Sequence, residues 1–213
     1  MTTLSEFDSR ETLRAAGVPV SRSRLVADPE QAATAAEELG FPVVIKLCGA
    51  AIAHKTERKL VRLNVGSRSD ARQAAEELLT SARPEDGEVN VLVTEFIVGQ
   101  RELIAGLVMD PQFGPCVMVG IGGIFAEALR DVAFRLAPLS ELDAHEMLDD
   151  LTHQSLLGEF RGEPAVDRKA LVEVLLALSN LATSRSDIES IDINPLIVRG
   201  SDVIAVDALV ELR

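Results

Sequence analysis

The segment "SIDINPLIVRGSDVIAVDALV", residues 190–210, decides the fold. It reads as two strands, Ile191 to Val198 and Val203 to Leu209, rich in isoleucine and valine and separated by the turn signal Gly200-Ser201. A two-residue loop at that turn sets Asn194 opposite Asp207, and alternation along a strand sets Asp192 on the face of Asn194. Leu196, Val198, Val203, Ala205 and Leu209 complete this face, and Ile193, Ile197, Ile204, Val206 and Ala208 form the other, so both faces are expected to be buried. Buried carboxylates need a cationic partner or a metal ion. Carboxylate and amide oxygens suit a hard ion such as Mg2+, which keeps several waters and is shared with substrate phosphates. The alternative is a strand end that reaches solvent, where Asp-x-Asn-Pro simply starts a turn.

Working outward, glycine and proline punctuate the chain clearly. A helix is expected from Ser5 to Ala16, closed by Gly17 and Pro19. In "ADPEQAATAAEELGFP", Asp28 is the N-cap of a second helix, with Pro29 at its first position, Gln31 in capping-box register, and Gly40 and Pro42 past its end. "FPVVIKL" follows as a buried strand ending in a lysine, then the loop "CGAAIAHKTERK", the strand "LVRLNV" and a helix beginning near Ser69. Beyond a polar stretch come "VLVTEFIVG" and "RELIAGLVM", joined around Gly99, the strand "PCVMVG", the glycine-rich turn "GIGGIF", a capped helix from Ser140 and a helix from Asp167 to Leu181. This mixed order with several hairpins favours an α+β fold built of lobes over a doubly wound parallel sheet.

Composition excludes several classes. The chain has 213 residues with a net charge of -13 and neither Trp nor Tyr, which argues against binding the phosphate backbone of DNA or RNA. A few cations and a metal placed locally still suffice for a nucleotide, since near charges outweigh screened distant ones. No apolar run approaches the ~20 residues that span a bilayer, and "MTTLSEFDSR" lacks a signal peptide's features, so a cytoplasmic location is expected. Cys48 and Cys116 fit no metal spacing and read as small buried thiols.

Several residues could carry chemistry. Lys46 ends an apolar strand, so its ammonium either reaches water or meets an anion. His54 and Lys55 lie in a loop between two strands, where functional groups concentrate. Glu95 and Glu102 flank the passage between two strands; an acid there can hold an adenine amino group or ribose hydroxyls, with backbone groups of Phe96 and Ile97 completing the adenine edge. Gly120, Gly122 and Gly123 offer backbone N–H groups to phosphate, although neither the Walker nor the dinucleotide glycine spacing is present. Together these supply a cation, a hinge acid and an oxygen-rich metal site in the order that a nucleotide cleft requires.

Over nearly its whole length the chain resembles the ATP-grasp subunit or domain of ADP-forming acyl-CoA synthetases. The matching pieces are "AGVPV", "GFPVVIKL", "AHKTE", "TEFIVGQREL", "DPQFGPCVMVGIGGIFAEALRDVAFRLAPL", "RG" at 161–162 and "DINPL...AVDA". The resemblance implies an ATP-grasp fold, a first lobe over about residues 21–95, and a second lobe of residues 1–20 plus 96–213 that carries the metal hairpin. It implies Lys46 on ATP phosphates with Lys55 nearby, Glu95 to Ile97 as the adenine hinge, Glu102 on the ribose, Asn194 and Asp207 as Mg2+ ligands, and Asp192 as their acidic companion. His54 matches a histidine that relays a phosphoryl group to ADP, while the CoA site belongs to an alpha-type partner subunit or domain. The chain departs from the family at Arg58 and Lys59, where small residues such as Ala-Gly-Gly commonly follow the histidine motif. A carboxylate–amine ligase using the same cleft, or a nucleotide-sensing regulatory subunit of an acyltransferase, are the alternatives.

Overall fold

Residues 2–52, 58–123 and 131–213 are described in a computed structural model of the chain. In chain order the elements are β1 (Thr2–Thr3), α1 (Glu6–Ala15), β2 (Ser23–Val26), α2 (Pro29–Leu39), β3 (Val43–Cys48), β4 (Val61–Val65), α3 (Arg68–Thr80), β5 (Asn90–Glu95), β6 (Arg101–Asp110), β7 (Gly114–Ile121), β8 (Val132–Leu136), α4 (Glu141–Asp149), α5 (Arg168–Ser184), β9 (Ile188–Arg199), β10 (Asp202–Ala205) and β11 (Ala208–Leu212). Two units separate, one of Thr3–Asp8 and Ser21–Phe96, the other of Met1–Thr2, Ser9–Val20 and Ile97–Arg213.

The smaller unit is an antiparallel sheet ordered β2-β5-β3-β4 with α2 and α3 packed against it. β3 lies between two partners and all six of its residues are buried, as an uninterrupted apolar run requires. The helix signals hold at atomic detail. The Asp28 side chain accepts from the Gln31 backbone N–H at 2.8 Å, while the Gln31 amide reaches back to the Ala27 N–H, one residue short of a capping box. Ser67 caps α3 by accepting from Asp70 N–H at 3.2 Å. The alanines that α2 and α3 turn inward, among them Ala32, Ala36, Ala71 and Ala75, are fully buried with Ile45, Leu47 and Leu78. Small side chains let these helices sit close to the sheet, where each buried Leu or Ile contributes about 1.5–3 kcal/mol.

The larger unit is a seven-stranded sheet ordered β1-β11-β9-β6-β7-β8, with β10 also paired to β9. α5 packs on β6, β7, β9 and β10, and α4 packs on α5 and β8. On β6 and β7 one row is buried, Leu103, Ala105 and Leu107 beside Val117, Val119 and Ile121, and the alternate row, with Glu102, Ile104 and Met118, is less covered.

The hairpin keeps the expected register but not the expected faces. Val203 pairs Val198 and Ala205 pairs Leu196; past an interruption at Val206-Asp207, Ala208 pairs Ile193 and Leu209 pairs Asp192 in the same register. The second strand is thus two, β10 and β11. Against β6, the stretch from Ile193 to Leu196 spans one residue more than Ala105 to Leu103 does. A bulge of this kind flips side chains to the opposite face. Ile191 and Ile193 are buried before it, Leu196 and Val198 after it, and Asp192 and Asn194 are exposed. The expectation that both faces are buried, with Asp192 and Asn194 sharing a face with Leu196 and Val198, is therefore corrected.

Candidate functional site

Asn194 and Asp207 sit where the sheet kinks, and the register on either side of the interruption leaves them across from one another. Asp207 is half-buried and its Oδ1 accepts from the Ala208 N–H at 2.9 Å, which fixes the carboxylate against the backbone. The preceding carbonyl, that of Val206, receives a 2.7 Å hydrogen bond from the guanidinium of Arg10, a fully buried residue of α1. Ser9, also buried, accepts from Val210 N–H at 3.1 Å. Neither contact was legible in sequence, since each partner lies about two hundred residues away.

Asp192 lies opposite Gly106 of β6 and Leu209 of β11. Although the residue is exposed overall, protein crowds its carboxyl; that burial, with the Asp207 carboxylate second, pushes its pKa up. A carboxylate with a second carboxylate beside it favours a cation between them. Glu102 pairs with Ile197, on the same sheet face as Asp192 and Gly106, which follow about four residues further along the strands. The glycines of the "GIGG" turn serve this arrangement differently from the expectation that they cradle phosphate. Gly122 donates to the Glu102 carbonyl at 2.7 Å, and a Cβ on it would stand 3.1 Å from that carbonyl. On Gly120 a Cβ would meet Val132 Cγ1 at 2.6 Å. Close packing accounts for both glycines.

The donor set fits Mg2+: an amide and two carboxylates, all hard oxygens, on a face that a phosphate can share. Among the described residues no three His, Cys, Asp or Glu side chains form a cage of their own. Mg2+ needs none, because it keeps waters and takes one or two carboxylates plus substrate phosphates.

In the smaller unit, Lys46 meets an anion rather than water. Its Nζ lies 2.6 Å from Oε1 of Glu6, with the two side chains only 8% and 1% exposed. Removing one partner of a buried ion pair typically costs ~3–5 kcal/mol. Exposed pairs such as Arg24–Glu38, at 3.7 Å, contribute ~0–1 kcal/mol. Glu95 lies 3.3 Å from Arg22 Nε, and Phe96 N–H is spent on the Pro42 carbonyl at 3.4 Å. Of the expected adenine hinge, the Phe96 N–H is thus already engaged within the smaller unit. Ile97, buried, begins the last stretch of the larger unit. His54 and Lys55 lie outside the described residues.

Immediately after that segment, Arg58 donates to both oxygens of Asp86, at 2.6 and 2.8 Å, while Asp86 also accepts from Arg83 N–H. Lys59 adopts a φ of 57°, the left-handed region that favours glycine, at a position where the resemblance led us to expect a small residue. The Arg58 guanidinium and the Arg83 N–H hold the Asp86 carboxyl down to about 2, against an ordinary value near 3.9. The lowered value means stability that is present above the ordinary carboxylate pKa and is lost as pH falls from about 4 towards 2. Asp86→Asn is expected to lower the urea midpoint at pH 7, with the gap to wild type narrowing across that acidic window. A gap that stays constant with pH would contradict it.

Two further arrangements escaped the sequence reading. Arg101, 4% exposed, donates to the carbonyls of Leu156, Gly158, Pro164 and Gly200, and so holds the loop that carries the "RG" turn at 161–162. At that turn Arg161 and Gly162 have φ of 48° and 85°, and the guanidinium lies 5.2 Å from the Phe160 ring centroid. Asp131, buried, accepts from Thr152 and His153 backbone N–H and lies 2.7 Å from His153 Nδ1. Burial would raise its pKa, but these hydrogen bonds outweigh it and hold the carboxyl below its ordinary value. Cys48 is buried as expected, whereas Cys116 is only half-buried, and neither is in a disulfide.

Comparison with known proteins agrees with the fold. An ATP-grasp domain family model matches residues 1–212. The beta subunit of ADP-forming acetate–CoA ligase II from Pyrococcus furiosus is 37% identical, over 100% of this chain and 92% of its own length. The ADP-forming 4-hydroxybutyrate–CoA ligase of Nitrosopumilus maritimus is 34% identical over 92% of this chain, which corresponds to 28% of that longer protein. Among solved structures, the acetyl-coenzyme A synthetase 1 of Ca. Korarchaeum cryptofilum, complexed with coenzyme A and Ca-AMPCP, superposes with a TM-score of 0.92 at 36% identity and covers 100% of this chain and 94% of that one. A further complex of the Korarchaeum enzyme holds Mg-AMPPCP, with a phosphohistidine segment pointing towards the nucleotide site.

Proposed function

Because the chain belongs to the ATP-grasp family, among the beta subunits of ADP-forming acyl-CoA synthetases, we propose that it moves a phosphoryl group between ATP or ADP and a phosphohistidine in the reversible reaction acid + CoA + ATP = acyl-CoA + ADP + phosphate. What supports this reading is Asp192 on the sheet face that also bears Glu102, with Asn194 and Asp207 across from one another at the interruption between β10 and β11.

Mg2+, held by Asn194 and Asp207 with Asp192 beside them, would neutralise charge on the nucleotide phosphates. The protein's own contribution is placement. Glu102 would fix the ribose by accepting from its hydroxyls, the Phe96 carbonyl would accept from the adenine amino group, and buried Ile97 would exclude water there. Lys46 would donate N–H bonds to phosphate oxygens, with Lys55 nearby. His54 would take the phosphoryl group on a ring nitrogen, the N–P bond forming as the bond from the γ-phosphorus to the β,γ-bridging oxygen breaks, and ADP leaves with the electron pair. On this reading the smaller unit would be the lid lobe and the larger the lobe that carries the metal hairpin.

The acid and CoA sites belong, on this reading, to a CoA-binding alpha-type partner. The chain alone is expected to bind Mg-ADP but to form no acyl-CoA above background; addition of the partner should release ADP in step with thioester. Acyl-CoA formation by the chain alone would refute the division of labour. No helix among the described residues is long and apolar enough to cross a membrane.

A further inference from the structure

β8 ends the sheet of the larger unit, with β7 on one side and, among the described residues, no strand on the other. Ile121 N–H donates to the Asp131 carbonyl at 3.0 Å and Ala137 N–H to the Pro115 carbonyl at 2.8 Å, so in this register the odd-numbered residues of β8 bond to β7. The backbone N–H and C=O groups of Val132, Phe134 and Leu136 therefore point away from β7. Their side chains form an apolar row that is 39%, 51% and 51% exposed, while Ala133 between them is buried. An open edge that carries such a row is a template for another strand. The edges of the smaller sheet are guarded, β2 by Arg24 and β4 by Arg62 and a register shift against β3. β8 has only Arg135, which is tied aside to Asp150 at 2.6 Å and donates to the Phe134 carbonyl at 3.0 Å, leaving that oxygen its second lone pair.

We infer that β8 pairs with β8 of a second copy of this chain, antiparallel about a two-fold axis at Phe134, so that the two sheets become one. The strand is complementary to itself in this register. Phe134 faces Phe134 and Val132 faces Leu136 of the second copy, so these pairs join even-numbered residues only, those whose N–H and C=O groups point outward. A slip of one residue would set outward groups against inward ones and apolar side chains against the opposite face. The centred register also lines up the two exposed rows side by side on one face, where cross-strand aromatic and aliphatic pairs stabilise a sheet. Arg135 stands opposite Ala133 of the second copy, so no like charges meet directly across the joint. A single strand pair buries less than the roughly 1,200–2,000 Å² of a standard interface, which makes the dimer a reversible one with a Kd of roughly 10–100 μM.

Sedimentation equilibrium of the full chain from about 5 to about 500 μM should show monomer passing into dimer. Because each copy carries a net charge of -13, added salt should tighten the association. Phe134→Lys sets two ammonium groups at the axis, and Phe134→Pro removes an N–H that points outward; each is expected to weaken the dimer at least about tenfold. Leu63→Lys, at a residue of the smaller unit that is 66% exposed, should associate as wild type does. Amide hydrogen exchange on the wild-type chain carries the same test without a variant that has to fold. The N–H groups of Val132, Phe134 and Leu136 should exchange freely in dilute solution and become protected in concentrated solution, whereas those of Ala133 and Arg135, bonded to β7, should be protected in both. A chain that stays monomeric throughout would overturn the inference, as would a dimer in which those three amides still exchange freely, or one that Leu63→Lys weakens as much as Phe134→Lys does. Protection of the three amides that appears only when a CoA-binding partner is added would also overturn it, and would assign the edge to that partner.

Discussion

Replacing His54 with alanine is expected to lower acyl-CoA formation by the reconstituted complex at least about a thousandfold, while the affinity for Mg-ADP changes by no more than about twofold. The asymmetry follows from what the side chain does. A covalent phosphoryl carrier is required in every turnover and contributes little to ground-state binding, so its loss removes rate without removing affinity. Labelling with γ-phosphate-labelled ATP gives the matching observation: an acid-labile, base-stable protein phosphate in wild type, absent from the variant. Turnover that survives the substitution would remove the relay from the account and leave nucleotide binding intact.

The second large effect is expected at Asp207. Alanine there removes one of two facing oxygens, and with it the carboxylate that adds to burial in raising the pKa of Asp192. Mg-dependent nucleotide affinity should fall about 10- to 100-fold and turnover by about two to three orders of magnitude. Nucleotide binding measured in excess chelator should hardly change, because the base and ribose contacts are elsewhere. Raising Mg2+ should recover part of the lost affinity. A variant that binds nucleotide less well with and without Mg2+ would instead indicate damage to the kink, which Arg10 also supports through the Val206 carbonyl.

The register that sets Asn194 across from Asp207 was legible because local signals pinned it. Gly200, at φ 62°, fixes the turn, and the turn fixes the register that sets Asn194 across from Asp207. Asp28-Pro29 and Gly40 bracket α2, and the run "VVIKL" marks a strand with a neighbour on either side. Strict alternation misled only at the bulge beside Ile193 and Leu196, since a two-residue period cannot show an extra residue opposite a partner strand. β8 was missed because "VAFRL" is short and puts Arg135 among apolar neighbours, leaving a weak strand signal next to a glycine-rich turn. The pairs Glu6–Lys46 and Arg58–Asp86 were beyond reach for another reason: partners forty and twenty-eight residues apart meet through tertiary packing, which no window of sequence records.

The central claim is that Asn194 and Asp207 hold a divalent ion which the nucleotide shares. Mn2+ substituting for Mg2+ reports on this directly, because its paramagnetic resonance signal from free solution disappears on binding. Titration of the wild-type chain in the presence of ADP should reveal tight Mn2+ binding that is absent without nucleotide and lost in the double variant Asn194→Ala, Asp207→Ala. ADP-dependent Mn2+ binding of unchanged affinity in that variant would place the ion elsewhere and contradict the account.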